Sequence, residues 1–145
     1  MWGRLLGGLA LVTCASACSS DDPREECALR PAFELTVRAA SGPVPDDLYL
    51  KIKYGGGVEE YRVSDTVQTQ EVMFCQRRDA DGGAPEAGAA AKEVFCKLWT
   101  QGAATLTVET SAYPRIERAL EAKADGDCIL TVEESVVLSV PEAGI

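Results

Sequence analysis

The chain has 145 residues, a formal net charge of -9 and an isoelectric point of about 4.5. This acidity argues against binding to nucleic acid or to anionic lipid, because both recognise clusters of Lys and Arg. The sequence contains neither His nor Asn. Without His, Ser-His-Asp and Cys-His nucleophile systems are excluded, as are most catalytic zinc sites.

The first eighteen residues have the order of an export signal. Arg4 is followed by the apolar run Leu5–Val12, which is too short to span a bilayer as a helix. Small residues, Ala15–Ala17, then come directly before Cys18. This order indicates a cleaved signal peptide rather than a transmembrane anchor. We therefore predict three segments, namely a removed signal peptide at 1–17, a lipidated N-terminus and tether at 18–30, and a folded domain at 31–141.

The residues that end in Cys18 resemble a bacterial lipobox, in which the Cys thiol is acylated. Two alternatives stay open: Cys14 is another acceptor, and Ala15–Ala17 also fits ordinary secretory cleavage, which would leave Cys18 unmodified. The polar, acidic residues after Cys18 favour acylation, since they suit a solvated tether. The resemblance implies a protein of the cell envelope that is held on a membrane by its lipid. Ser19, directly after the Cys, implies the outer membrane.

Four cysteines remain in the mature domain if Cys14 is removed and Cys18 is acylated: Cys27, Cys75, Cys96 and Cys128. An even number of widely spaced Cys in an exported domain indicates two disulfides, whereas a metal site needs closely paired ligands. Three pairings are open. We predict Cys75–Cys96, which flank a long loop, and Cys27–Cys128, because the first and last strands of a sandwich often lie side by side.

The first half of the domain alternates apolar and polar residues, the pattern of half-buried strands. It predicts a strand at Phe33–Ala39, another at Leu48–Tyr54, and a hairpin through Gly55–Gly57 to a third strand at Val58–Val63. A fourth strand is predicted at Thr69–Cys75.

The second half begins with a loop at Gln76–Lys92, which has no periodic face. Strand patterns return at Glu93–Trp99 and Ala103–Thr110. Residues 113–123 suit a helix or a strand, and Pro114 with strands on both sides favours a strand. Asp125–Asp127 predicts a turn before a long final strand, Cys128–Val140. Glu134 falls in line with the apolar residues of that strand, which indicates a bulge or a sheet edge.

This spacing of short strands predicts an all-β fold, a single antiparallel β-sandwich of about seven or eight strands. The stretch Gly102–Val108, followed by Tyr113 and by a closing strand after Cys128, resembles transthyretin-like (carboxypeptidase-regulatory-like) domains. Ala112 stands where these domains usually have Gly. The resemblance covers the last third of the chain and implies a non-catalytic accessory or binding module.

Three groups of side chains are candidates for chemistry. Asp79–Gly83 and Asp125–Asp127 are short acidic loops, but neither has the ligand spacing of a calcium loop, and Asp-Gly is ordinary turn chemistry. Carboxylates for glycoside cleavage would come from Asp46, Asp47, Glu59, Glu60, Glu109, Glu133 or Glu134. These residues fall at strand ends or on outward faces, so we expect them to be ordinary solvent-exposed surface residues. Aromatic residues for a glycan or peptide platform are Tyr49, Tyr54, Tyr61, Phe95, Trp99 and Tyr113, and of these Tyr49 and Trp99 fall opposite the apolar sets of their strands.

We therefore predict a membrane-anchored extracytoplasmic lipoprotein that acts as a binding or structural module. It is expected to have no enzymatic activity, no cofactor and no metal site, and to bind a protein or glycan ligand that the residues do not specify. The alternatives are an accessory subunit of an envelope enzyme and a calcium-dependent adhesion module.

Overall fold

The computed structural model describes residues 30–64 and 71–141, which form ten strands and no helix. The strands are β1 (Phe33–Ala39), β2 (Tyr49–Tyr54), β3 (Gly57–Arg62), β4 (Met73–Arg78), β5 (Glu93–Leu98), β6 (Ala104–Glu109), β7 (Ile116–Leu120), β8 (Lys123–Asp125), β9 (Cys128–Leu130) and β10 (Val132–Leu138). Within these ranges the chain therefore has no helix of the length and apolarity needed to cross a membrane.

Two four-stranded sheets pack against each other. Sheet 1 has the strand order β10-β1-β5-β4 and sheet 2 has the order β3-β2-β6-β7, while β8 and β9 form a separate hairpin. Both sheets contribute to one core, whose largest fully buried side chains include Phe33, Leu35, Leu98 and Leu138 from sheet 1 and Leu50, Ile52, Leu106 and Leu120 from sheet 2. The predicted all-β sandwich is confirmed.

Alternation explains why these segments become strands. In β1 the side chains of Phe33, Leu35 and Val37 are fully buried, and the residues between them face outward. Because successive side chains of a strand point to opposite sheet faces, this pattern fixes which face meets the core. The hairpin predicted between the second and third strands is also confirmed, with its turn at Gly55 and Gly56.

The first and last strands are neighbours, as predicted, but they run parallel. Phe33 pairs with Val132 and Ala39 pairs with Leu138. The expectation of a purely antiparallel sandwich is therefore wrong for this pair. The single strand predicted at Cys128–Val140 is in fact two strands, because the chain changes partner at Thr131: β9 pairs with β8, whereas β10 joins β1. The eight expected strands become ten, since this hairpin adds two.

The predicted loop at Gln76–Lys92 begins too early. Strand β4 continues to Arg78, and only residues 79–92 connect it to β5. Residues 76–78 are polar because they lie in an edge strand, and Arg78 places its guanidinium 3.7 Å from the ring centroid of Phe95 on the outer face of sheet 1. This cation–π contact stabilises a charged residue in a strand, at a position that hydrophobic periodicity does not predict.

The strand directions give the sandwich two ends, which we call the tether end and the tip. At the tether end β1 and β10 begin and β5 ends; residues 99–103 then cross to the start of β6 in sheet 2. The tip lies at the other end of the strands. There the amide of Val44 donates to the carbonyl of Ala91 at 2.8 Å, which ties the β1–β2 connection to the start of β5.

An inward-facing ion pair closes one edge of the sandwich. Glu134 in β10 pairs with buried Leu35 of β1, and Arg118 in β7 pairs with buried Leu106 of β6. Because β10 and β7 are edge strands, both charged side chains lie on the core side of a sheet edge. Arg118 donates to the carbonyl of Ser135 at 2.8 Å and lies 3.9 Å from the Glu134 carboxylate. The predicted edge position of Glu134 is confirmed, and an inward charge at an edge discourages pairing with other chains.

Candidate functional site at the tip

A polar groove of about 660 Å³ lies open at the tip, and we call it the tip groove. It is lined by Asp47, Tyr49, Arg62, Glu109, Thr110 and Ser111. A second hollow of about 340 Å³, lined by Asp46, Asp47, Leu48, Arg62 and Ser64, shares Asp47 and Arg62 with it. The two hollows therefore form one continuous surface around these two side chains.

The sheet register assembles the floor of the tip groove. Tyr49 on β2 pairs with Arg62 on β3 and with Glu109 on β6. Since the next residue, Leu50, is buried in the core, Tyr49 points outward, and the paired residues share its face. Three side chains from three strands thus lie in one row across the outer face of sheet 2.

Tyr49 is held by two contacts. Its hydroxyl donates a hydrogen bond to the carboxylate of Glu60, and this bond raises the pKa of Tyr49. The guanidinium of Arg62 lies 4.6 Å from the centroid of the ring, within the range of a cation–π interaction. The ring is therefore fixed in an environment that already accommodates a cation.

Asp47 joins two loops of the tip. Its carboxylate accepts hydrogen bonds from the Thr110 hydroxyl at 2.6 Å and from the backbone amide of Ser111 at 2.8 Å. Hydrogen bonds from Ser111 and Thr110 lower the pKa of Asp47 from 3.8 to about 2. The β1–β2 connection is thereby attached to the start of the β6–β7 connection.

Asp47→Asn is expected to lower the midpoint of thermal unfolding near neutral pH. Because the folded protein holds the pKa of Asp47 below its usual value, its stabilisation is present above about pH 3.8 and is lost as the pH falls towards about 2. The difference between wild type and variant should therefore shrink over that range, which calorimetry at several pH values would measure. Asp46→Asn, which removes the neighbouring exposed charge, is the control, and a pH-independent difference for Asp47→Asn would contradict this assignment.

Charged side chains of both signs line the tip groove. Its carboxylates are those of Asp47 and Glu109 and its guanidinium is that of Arg62, while Asp46 lines the neighbouring hollow. The Oε1 of Glu109 also lies 3.3 Å from the Nε of Arg115, and 45% of the Glu109 side chain is exposed. The groove is open to solvent and polar, so it suits contacts with the surface of a partner rather than a reaction that requires exclusion of water.

The acidic loops considered for calcium adopt ordinary turns. Asp81 accepts a hydrogen bond from the amide of Gly83 at 3.0 Å, and the Gly82 amide donates to the Asp79 carbonyl at 2.9 Å. In the β8–β9 hairpin, Gly126 occupies the turn with a φ of +61°, a conformation that favours glycine. The turn predicted at Asp125–Asp127 is confirmed. Over residues 30–64 and 71–141, no group of three or more Cys, Asp or Glu side chains is arranged to hold a metal ion.

The aromatic residues do not share one face. Tyr49 lies on the outer face of sheet 2 and Phe95 on the outer face of sheet 1. Tyr61 is buried in the core, and Tyr54 and Tyr113 are half-buried residues that pack against the core cluster. Trp99, half-buried, follows β5 at the tether end, and its amide donates to the carbonyl of Val72. Of the residues proposed for a platform, only Tyr49 lies in the tip groove.

The predicted cysteine and carboxylate sites have different outcomes. Cys75 and Cys96 form the predicted disulfide, with their Cα atoms 4.1 Å apart in directly paired positions of β4 and β5. Cys128 in β9 is also disulfide-bonded, while Cys18 and Cys27 lie outside the described residues. Among the carboxylates considered for catalysis, Asp46, Asp47, Glu60 and Glu109 meet at the tip, whereas Glu133 and Glu134 lie on β10 of sheet 1.

Three residues of the tip groove were not anticipated from the sequence: Arg62, Thr110 and Ser111. The signal in the sequence is weak, since Asp47 lies between two predicted strands and Thr110 ends another. Comparisons with known proteins add no relative: no family model, no curated protein and no solved structure matches the chain.

Proposed function

We propose that the chain is a membrane-anchored extracytoplasmic lipoprotein whose β-sandwich is a non-catalytic binding module. The observation that carries the proposal is the oxidised state of the domain. Cys75 and Cys96 are joined across two strands, and Cys128 is disulfide-bonded. Disulfides persist in exported proteins and are rare in the cytosol, so these bonds support the export signal at the start of the sequence.

The character of the surface supports a binding role over catalysis. In the described residues, the buried polar side chains are those of Thr100 and Thr107. The charged groups of the tip groove are exposed to solvent, and the pKa of Asp47 is lowered by hydrogen bonds that join two loops, whereas the pKa of a catalytic acid or base is commonly shifted by burial as well. The resemblance of Gly102–Val108 and Tyr113 to transthyretin-like domains belongs to the same proposal, since such domains are accessory or binding modules.

The experiment that tests the anchor replaces the proposed acceptor. Cys18→Ser is expected to release the mature protein from membranes or to leave the precursor unprocessed, because the replacement hydroxyl does not accept the thioether-linked lipid. Cell fractionation and intact-mass analysis would measure both effects. Cys14→Ser is the matched control and should still be acylated and membrane-bound. An intact mass that shows unmodified Cys18, or loss of the lipid in Cys14→Ser, would contradict the proposal.

A further inference from the structure

We propose that the outer face of sheet 1 is the contact surface of a homodimer, so that the domain binds a second copy of the same chain. This inference goes beyond the proposed function, because it assigns a partner and a surface to the domain whether or not a lipid is present. Two features of the face carry it: the charges on its two central strands and the hollow beside Phe95.

The central strands of sheet 1, β1 and β5, carry opposite charges at matching positions of the outer face. Near the tether end, Glu34 on β1 pairs with Lys97 on β5. Near the tip, Arg38 on β1 pairs with Glu93 on β5. These side chains point away from the core, because alternate residues of both strands are buried in it. From the tether end to the tip, β1 is therefore acidic and then basic, whereas β5 is basic and then acidic.

This order of charges makes the face complementary to a copy of itself. A two-fold axis that lies between β1 and β5, parallel to both strands, places β1 of one copy over β5 of the other and keeps each row at its own level. Glu34 then faces Lys97 of the second copy, and Arg38 faces Glu93 of the second copy. Because the interface is symmetric, each of these opposite-charge contacts occurs twice.

The shape of the face fits the same axis. A hollow of about 480 Å³ lies over β1 and β10, and its lining includes Thr36, Ser135 and Phe95. Phe95 pairs with Thr36 on β1, while Arg78 packs on its ring from β4, the strand on the other side of β5. The two-fold axis places Phe95 of each copy over Thr36 of the other. Each ring thereby enters the hollow of the second copy, which gives the interface a packed aromatic centre.

The outer face of sheet 2 does not have this complementarity. In each row across its central strands a charged residue pairs with an uncharged one, namely Tyr49 with Glu109, Lys51 with Thr107 and Lys53 with Thr105. The equivalent two-fold axis would therefore bring no opposite charges together between β2 and β6. The charge pattern selects sheet 1 as the face that binds the second copy.

The size of the face and the position of the tethers define the kind of dimer. Four strands of about six residues, spaced by about 4.8 Å and 3.3 Å, give a flat area of ~400 Å². A standard interface buries about 800 Å² per partner, so this dimer is expected to be weak in solution. Because the axis runs along the strands, both copies enter β1 at the same end of the dimer. Two copies anchored in one membrane can therefore meet, and their confinement raises the effective concentration.

The test measures self-association of the mature protein, extracted in an excess of nonionic detergent, by sedimentation equilibrium at matched detergent density. Glu34→Lys and Lys97→Glu each place like charges opposite one another across the axis. The matched controls are Glu117→Lys and Lys53→Glu, which make the same charge changes at exposed positions on the outer face of sheet 2. The midpoint of thermal unfolding shows whether each variant is folded.

We expect the wild type to dimerise with a micromolar dissociation constant. Glu34→Lys and Lys97→Glu should each weaken the dimer at least about tenfold, and the controls should change it by less than about twofold. An equimolar mixture of Glu34→Lys and Lys97→Glu should dimerise again, because every contact across the axis then joins opposite charges. The mixture also separates the interface from effects within one chain, since each chain keeps its own like-charged pair. A wild type that stays monomeric up to about 500 μM would overturn the inference, as would equal losses in the controls or a mixture that stays monomeric.

Discussion

Replacing both Cys75 and Cys96 by Ala is expected to lower the free energy of unfolding by about 3 kcal/mol. The two residues are 21 positions apart in the sequence, and their bond closes the loop that contains residues 79–92. In the chain-entropy model, a disulfide restricts the unfolded chain, so its loss makes unfolding more favourable. Both side chains face the core, with 5% and 0% of their surfaces exposed, so the two substitutions also remove part of the core packing.

Urea unfolding of the wild type and of the Cys75→Ala/Cys96→Ala variant under non-reducing conditions would measure this difference. Peptide mapping must show that Cys128 is still disulfide-bonded in the variant, since the comparison isolates one bond only if the other is intact. The single variants each leave a free thiol in the core and serve as controls for altered pairing. A loss of less than about 1 kcal/mol would show that the bond constrains the unfolded chain far less than this model requires.

Local pattern was sufficient for the strands whose two faces differ. Phe33, Leu35 and Val37 alternate with polar residues, and the structure buries these three in the core. The turn at Gly55 and Gly56 likewise follows from its residues, because Gly adopts turn conformations at little steric cost. In each case the information lies within a few neighbouring residues, and one sheet face is decided by burial.

Strand directions and strand ends are determined by distant residues, so local pattern did not predict them. Nothing in β10 itself indicates that it runs parallel to β1, because the apolar face that it presents would be the same in either direction. Strand β4 continues to Arg78 through pairing with Glu93, and the Arg78 guanidinium packs on Phe95 of the neighbouring strand. Glu134 was identified as a misfit from its place among apolar residues, but its partner Arg118 lies on the other sheet.

The candidate site depends still more on distant contacts. Asp47 and Thr110 are 63 positions apart, and each is an ordinary residue in its own segment. Tyr49 is a candidate from the sequence because it lies on the opposite face of its strand from the apolar residues. Only the sheet register places Arg62 and Glu109 beside it. The sequence therefore indicated Asp47, Tyr49 and Glu109 as separate candidates, and the pairing of β2 with β3 and β6 brought Tyr49, Arg62 and Glu109 together.

Replacing Cys27 and Cys128 by Ala is expected to have the larger effect on stability, about 4 to 5 kcal/mol, because their bond would close a loop of about a hundred residues. Cys128 begins β9, three residues before Thr131. The Thr131 hydroxyl donates to the carbonyl of Pro31 at 2.7 Å, and the Val132 amide donates to the carbonyl of Ala32 at 2.9 Å. The chain at Pro31 and Ala32 is thus fixed beside the chain at Thr131 and Val132, and this neighbourhood motivates the predicted pairing of Cys27 with Cys128.

Peptide mapping without reduction should recover Cys27 joined to Cys128, and urea unfolding of the double Ala variant should show the loss of stability. This bond would attach the segment before β1 to β9, and so hold the proposed lipid anchor close to the sandwich. The control is the Cys75–Cys96 pair, which the same map must recover unchanged. Recovery of Cys18 joined to Cys128 would contradict the pairing, and it would also contradict acylation, since a thiol that is engaged in a disulfide cannot carry the lipid.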